Sequence, residues 1–174
     1  MKGFPVRMLS KIIQREDLAR TIKAVRASGE TVVFTNGCFD ILHVGHVRYL
    51  AAAKSEGDVL VVGLNSDESV KTIKKENRPI IPQEQRAEVL SSLWCVDYIT
   101  LFDEPDPLSL IKVVQPDVLV KGADWPEEEI IGADFVKSNG GRVVRVSVVS
   151  GVSTSRIIQQ IIKNRQLDKR NSAK

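Results

Sequence analysis

The chain has 174 residues, enough to bury a substantial core, and its apolar fraction of 43% and charged fraction of 27% are those of an ordinary folded domain. A net charge of only +3 and few aromatic residues exclude a nucleic-acid binder built on a basic surface, while leaving phosphate-bearing small molecules open. Two cysteines make no disulfide framework. The sequence also shows neither an apolar run before a small-residue cleavage site nor the roughly 20 apolar residues of a membrane span, so a cytoplasmic protein with no membrane partner is expected.

Residues 1–10 are expected to be peripheral. The first predicted helix, Asp17–Ala27, puts Leu18, Ile22 and Val25 on one stripe. A strand at Thr31–Thr35 is nearly all apolar, as strands buried on both faces are. It runs through Asn36-Gly37-Cys38-Phe39-Asp40 towards a helix over Val44–Ser55. The second strand, Val59–Leu64, ends at Asn65-Ser66-Asp67, and a basic segment with Lys71, Lys74 and Lys75 follows. Pro82 precedes a helix over Gln83–Leu93, and Tyr98–Leu101 is the third strand. Asp106 is placed as a cap with Pro107 at the first helical position. The fourth strand, Asp117–Val120, leads into Lys121-Gly122-Ala123-Asp124-Trp125. Pro126 and Glu127–Glu129 are read as the acidic opening of another helix. After a fifth strand, Val143–Val146, the last helix covers Ser153–Ile162 with Ile157, Ile158, Ile161 and Ile162 on its buried side. A polar tail from Gln166 is expected to fray.

This alternation implies one α/β domain over residues 1–174, with its core at about 16–163 and a parallel five-stranded sheet, doubly wound and Rossmann-like. Such sheets bind ligands beyond the carboxyl ends of their strands, at the switch point.

Both histidines, His43 and His46, fall just after the first strand. Three residues apart, they share a face if the turn is helical. Gly37 and Gly45 let backbone or ligand come close. Backbone N–H groups at a helix start, with imidazoles beside them, suit a nucleoside triphosphate, and protonated rings would be the stronger donors. Structural histidines, or a metal site of His43, His46 and Cys38, are the alternatives; the latter lacks a fourth ligand and a known spacing. Cys38 otherwise reads as a small residue packed beside the loop. Asp67 is either a helix cap or a cation ligand, and Arg86 either a phosphate contact or a helix-surface residue. Gly122 allows close approach, Asp124 can accept from a base or sugar, and Trp125 offers a stacking face. Ser153, Thr154 and Ser155 can form a second phosphate cradle, although a plain cap explains Ser153 alone.

The run Thr35 to His46, together with Asn65-Ser66-Asp67, Arg78-Pro79, Lys121–Trp125 and Ser153-Thr154-Ser155, resembles the HxGH nucleotidyltransferases of the cytidylyltransferase-like superfamily. More narrowly, residues 16–163 resemble the adenylyltransferases that make ADP-heptose from D-glycero-β-D-manno-heptose 1-phosphate, either free-standing or joined to a kinase. The resemblance implies transfer of AMP from ATP, with Mg2+ carried mainly by phosphates and water, and a precursor for lipopolysaccharide or another heptose glycan. It implies His43, His46 and Lys74 as catalytic groups. Asn36, Gly37, Cys38, Phe39, Gly45, Lys71, Arg86, Gly122, Asp124, Trp125, Ser153, Thr154 and Ser155 would face the nucleotide, and Asp40, Asn65 and Asp67 the acceptor. A homodimer and an upstream heptose 7-phosphate kinase are implied as well.

Ala123 and Trp125 depart from the Gly-Gly-Asp-Tyr usual in the heptose family, and Trp125 resembles the glycerol-phosphate cytidylyltransferases. Those enzymes carry an Arg-Thr pair where this chain has Val148-Val149, which weakens the cytidine reading. Adenylyl transfer to a flavin phosphate and a non-catalytic nucleotide-binding regulator are the remaining alternatives.

Overall fold

A computed structural model describes residues 9–74 and 77–171 of the protein, and side chains as far as residue 166. The first eight residues, Lys75, Glu76 and the last three residues lie outside it. In chain order the elements are α1 (Arg15–Ala27), β1 (Val32–Gly37), α2 (Val44–Lys54), β2 (Val59–Asn65), α3 (Asp67–Ile73), α4 (Gln83–Ser91), β3 (Tyr98–Phe102), α5 (Leu108–Val114), β4 (Val118–Gly122), α6 (Ala133–Ser138), β5 (Arg142–Val146) and α7 (Thr154–Asn171). The five strands are parallel and ordered β3-β2-β1-β4-β5. The chain crosses from the β2 side of β1 to the β4 side, so the switch point lies between the carboxyl ends of β1 and β4.

Strand alternation divides the core in two. Val32 and Phe34 of β1 pack with Leu18, Ile22 and Val25 of α1, Leu110 and Ile111 of α5, and Val136 of α6. Val33 turns the other way and joins Leu50 of α2, Leu90 of α4 and Val62 of β2. Every residue of β2 is buried, consistent with its central place and its unbroken apolar run.

Several boundaries differ from the sequence expectation for local reasons. Ser66, not Asp67, caps α3, its Oγ accepting the Ser69 N–H at 3.2 Å. Asp106 does accept the Leu108 N–H, at 2.8 Å, but Pro107 occupies the cap position and α5 starts one residue later. Glu127–Glu129 form a single 3₁₀ turn and no longer helix. Gly132, at φ 88°, redirects the chain before α6 begins. The last helix extends to Asn171, and its apolar stripe is not buried: Ile161 and Ile162 are 59% and 52% exposed.

Candidate active site

The carboxyl ends of β1 and β4, the starts of α2 and α7 and the end of α3 surround a cleft of about 700 Å³ at the switch point. Its depth begins with the loop after β1. Phe39 adopts φ 43°, and its ring folds back over Gly37 and meets the His46 ring edge-on at 5.3 Å. His43 is the N-cap of α2, with Nδ1 accepting the His46 N–H at 3.4 Å. That bond leaves Nδ1 without a proton, so a neutral His43 carries its hydrogen on Nε2. Gly45 makes this possible, because a Cβ there would sit 3.0 Å from the His43 ring.

The two imidazoles stack with centroids 3.8 Å apart. Burial lowers the His43 pKa, and burial followed by the neighbouring His43 ring pushes His46 down to about 4. Without a ligand the pair is therefore neutral near pH 7, not the cationic pair that would make the strongest donors. Among the described residues the buried Nδ1 of His46 has no hydrogen-bond partner. Tyr49 anchors this helix to the sheet, sharing a 2.7 Å hydrogen bond with Thr35 and donating to the Val120 carbonyl. Burial pushes its hydroxyl up to about 12, so it remains protonated.

The other walls carry most of the remaining sequence-derived residues. Ser153, Thr154 and Ser155 reach the cleft at the start of α7. Ser153 caps that helix through the Arg156 N–H, and the Thr154 hydroxyl reaches the Ile41 carbonyl at 3.5 Å. At the end of β4 the Asp124 carboxylate occupies the space a Cβ on Gly122 would need, and Trp125 leaves half its surface exposed. Val148, Val149 and Val152 add an apolar face beside them. Lys74 lines the cleft from the C-cap of α3.

Four residues hold the site together; Asp40 and Asn65 also line the cleft, whereas Arg86 and Asp67 lie behind its lining. Asp40 is buried, and its carboxylate accepts from Arg78 Nε at 2.6 Å and from the N–H groups of Ile80 and Ile81. Burial opposes its charge, but these donors outweigh burial and lower its pKa. Arg86 is neither a phosphate contact nor a surface residue: it is 1% exposed. Its guanidinium donates to the carbonyls of Ile81, Cys38 and Asn65 and to Asp67 Oδ1. Asp67 is thus committed to Arg86, and Asn65 Nδ2 is committed to Ser69 Oγ. Lys71, like Asp67 and Arg86, is not part of the cleft lining, and its ammonium pairs with Glu68 at 2.6 Å on an exposed helix face.

Arg78 and Lys121 line the cleft; the sequence placed both in motif blocks, Arg78-Pro79 and Lys121–Trp125, without giving either a role of its own. Lys121 Nζ donates to Asn36 Oδ1 at 2.5 Å, bridging β4 to β1. Its signal in the sequence is a lone lysine ending an otherwise apolar buried strand. Cys38 lies among cations; burial raises its pKa, while Lys74, Arg86 and Arg78 oppose the rise. Among the described residues no three His, Cys, Asp or Glu side chains cluster as a metal cage.

A profile of the cytidylyltransferase-like family matches residues 34–160. The bifunctional protein HldE of Geobacter metallireducens is 53% identical over 154 residues, which is 88% of this chain and 31% of that protein. The bifunctional protein HldE of Geobacter sulfurreducens is 52% identical over the same shares. The chain thus spans about a third of the length of these relatives. The crystal structure of the lipopolysaccharide core biosynthesis protein from Thermoplasma volcanium is 32% identical, with a TM-score of 0.58, and the match covers 70% of this chain and 98% of that one. The family profile runs from β1, across the switch point that forms the cleft, into α7, and the chain belongs to the cytidylyltransferase-like family of nucleotidyltransferases.

Proposed function

We propose that the protein transfers AMP from ATP to D-glycero-β-D-manno-heptose 1-phosphate, releasing pyrophosphate and forming ADP-heptose. The observation that carries this reading is the convergence in one cleft of the stacked histidines, Lys74 and the hydroxyl-rich start of α7. The similarity to HldE proteins and to a lipopolysaccharide core biosynthesis protein supports the heptose acceptor.

In this mechanism an oxygen of the sugar 1-phosphate attacks the α-phosphorus in line. A new oxygen–phosphorus bond forms, and the bond to the β-phosphate bridging oxygen breaks. Pyrophosphate leaves with the electron pair. The attacking oxygen is already anionic near neutral pH, so no residue has to remove a proton. The chain's work is to position the reactants and oppose their charge. His43 Nε2–H, the half-buried His46 ring and the free N–H groups at the starts of α2 and α7 are donors for the triphosphate. Asp40 and Asp67 are engaged by Arg78 and Arg86, which fits a magnesium ion that arrives on the nucleotide and keeps its waters. When bound, that ion would neutralise charge on the triphosphate.

Adenine against cytosine is decided at the wall made by Val148 and Val149. Two valines offer apolar contact to a purine face and none of the hydrogen bonds an Arg-Thr pair gives to a pyrimidine. Trp125 favours the second reading, cytidylyl transfer to glycerol phosphate. The free cysteines fit a reducing cytoplasm, where a separate kinase activity would supply the sugar phosphate to a homodimer of this chain. The test is pyrophosphate release over a matrix of nucleoside triphosphates and sugar or polyol phosphates. ATP with heptose 1-phosphate should dominate. CTP with glycerol 3-phosphate in its place overturns the assignment, and ATP binding with no release for any acceptor replaces it with a regulator.

A further inference from the structure

We infer that Lys121 contacts the phosphate of the acceptor, from the wall of the cleft opposite the triphosphate cradle. This inference rests on the transfer reaction proposed above.

Lys121 and Asn36 stand two residues after Leu119 and Phe34, so both belong to the sheet face covered by α1, α5 and α6. The histidines start α2, which covers the other face. The cleft wraps over the carboxyl edge of the sheet and joins the two sides. In-line displacement requires the attacking oxygen and the leaving pyrophosphate on opposite sides of the α-phosphorus. With the leaving group held by the starts of α2 and α7, the attacking phosphate arrives on the Lys121 side.

The lysine is equipped for that position. An ammonium has three donors, and one is used, on the neutral Asn36 amide. Among the described residues no carboxylate comes within ion-pair distance of it. A poorly hydrated cation without a counter-ion is electrostatically incomplete, and an oxyanion completes it. Its charged and titratable surroundings are few. Cys38, from the loop after β1, and Asp124, beyond β4, both favour its proton, but burial outweighs them and lowers the ammonium pKa to about 8. Tyr49 of α2 is held on the opposite face by Thr35 and Val120. Arg145 stands opposite Lys121 in the β4–β5 register, is exposed and donates to the Ala123 carbonyl.

Lys121→Met and Lys121→Arg test the assignment through initial rates at varied heptose 1-phosphate and, separately, varied ATP. Lys121→Met should cut kcat/KM for the acceptor by about 10- to 100-fold, the scale of one charged hydrogen bond, and leave the KM for ATP within about 3-fold. Lys121→Arg should recover part of the loss, and both variants should melt close to the parent. An unchanged acceptor kcat/KM, or a loss confined to ATP, overturns the inference. If the parent releases no pyrophosphate with any acceptor, the activity reading fails and NMR of the lysine ε-carbon decides separately. A Lys121 titration midpoint that rises with added inorganic phosphate keeps the anion contact, and one that stays in place removes it.

Discussion

At the scale of single residues, His46 meets two opposed requirements. Its half-buried place under Phe39 and against His43 keeps the ring neutral, yet the ligand assigned to it is a polyanion. A neutral imidazole still donates from one nitrogen, and the other ring nitrogen here, Nδ1, is buried without a hydrogen-bond partner among the described residues. His46→Ala is expected to lower kcat by about 10²–10³, as removal of one oxyanion donor does. Near-parental turnover in a pyrophosphate-release assay would remove the role. The same burial has a pH signature. A histidine whose pKa drops from 6.5 to about 4 on folding contributes stability that is complete above 6.5 and lost as pH falls through the folded value. Melting temperature of the ligand-free protein should therefore fall on acidification through that window, and fall less in His46→Ala. Clustering of both histidines in one glycine-containing turn was legible in the sequence. Their stacking and neutrality were not, because they depend on where Phe39 folds. The outward direction of Lys71 was closer to legible: Glu68 stands three residues before it, at the spacing of a helical ion pair.

At the scale of elements, the stretch of residues 78–81 before α4 owes its position to one carboxylate. Asp40 gathers Arg78 and the N–H groups of Ile80 and Ile81, setting how residues 78–81 enter α4. Asp40→Asn replaces one acceptor oxygen with a donor and removes the charge that engages Arg78. Amide exchange at Ile80 and Ile81 should quicken by about 10-fold or more, the equivalent of one lost hydrogen bond of about 1.4 kcal/mol. Unchanged protection would show that the loop is held by something else. A carboxyl whose pKa is lowered by folding contributes stability that is full above 3.8 and disappears as pH falls through its folded value, so this latch also opens in acid. The strands were readable because a run such as Val59–Leu64 has no polar residue to place in water. The helix ends were harder. Pro107 and Asp106 both suit a start, and their competition moved it by a residue. In α7 the stripe Ile157, Ile158, Ile161 and Ile162 has the helical period of a buried face, but periodicity does not say whether the chain itself supplies the covering surface.

At the scale of the whole molecule, Arg86 links parts of the chain that are remote in sequence. Its four bonds join the loop after β1, the end of β2, the start of α3 and the turn before α4. Arg86→Met keeps most of the volume and strands three carbonyls, so a loss of about 3 kcal/mol or more is expected in urea denaturation. A loss under about 1 kcal/mol would mean that water replaces the guanidinium freely. An arginine amid Ala87 and Leu90 on the inward side of a helix is the pattern that could have identified it. The borders of the sheet carry a different consequence. On one side the backbone around Ile12 closes onto β3, with the Ile13 N–H donating to the Ile99 carbonyl and the Ile99 N–H to the Lys11 carbonyl. On the other side β5 is fringed by the exposed, charged side chains of Arg142 and Arg145. One border is sealed and the other is guarded, so a further strand has no easy way to lengthen the sheet. Association with another chain is therefore expected to run through helix and loop side chains, with the central sheet keeping its width of five strands.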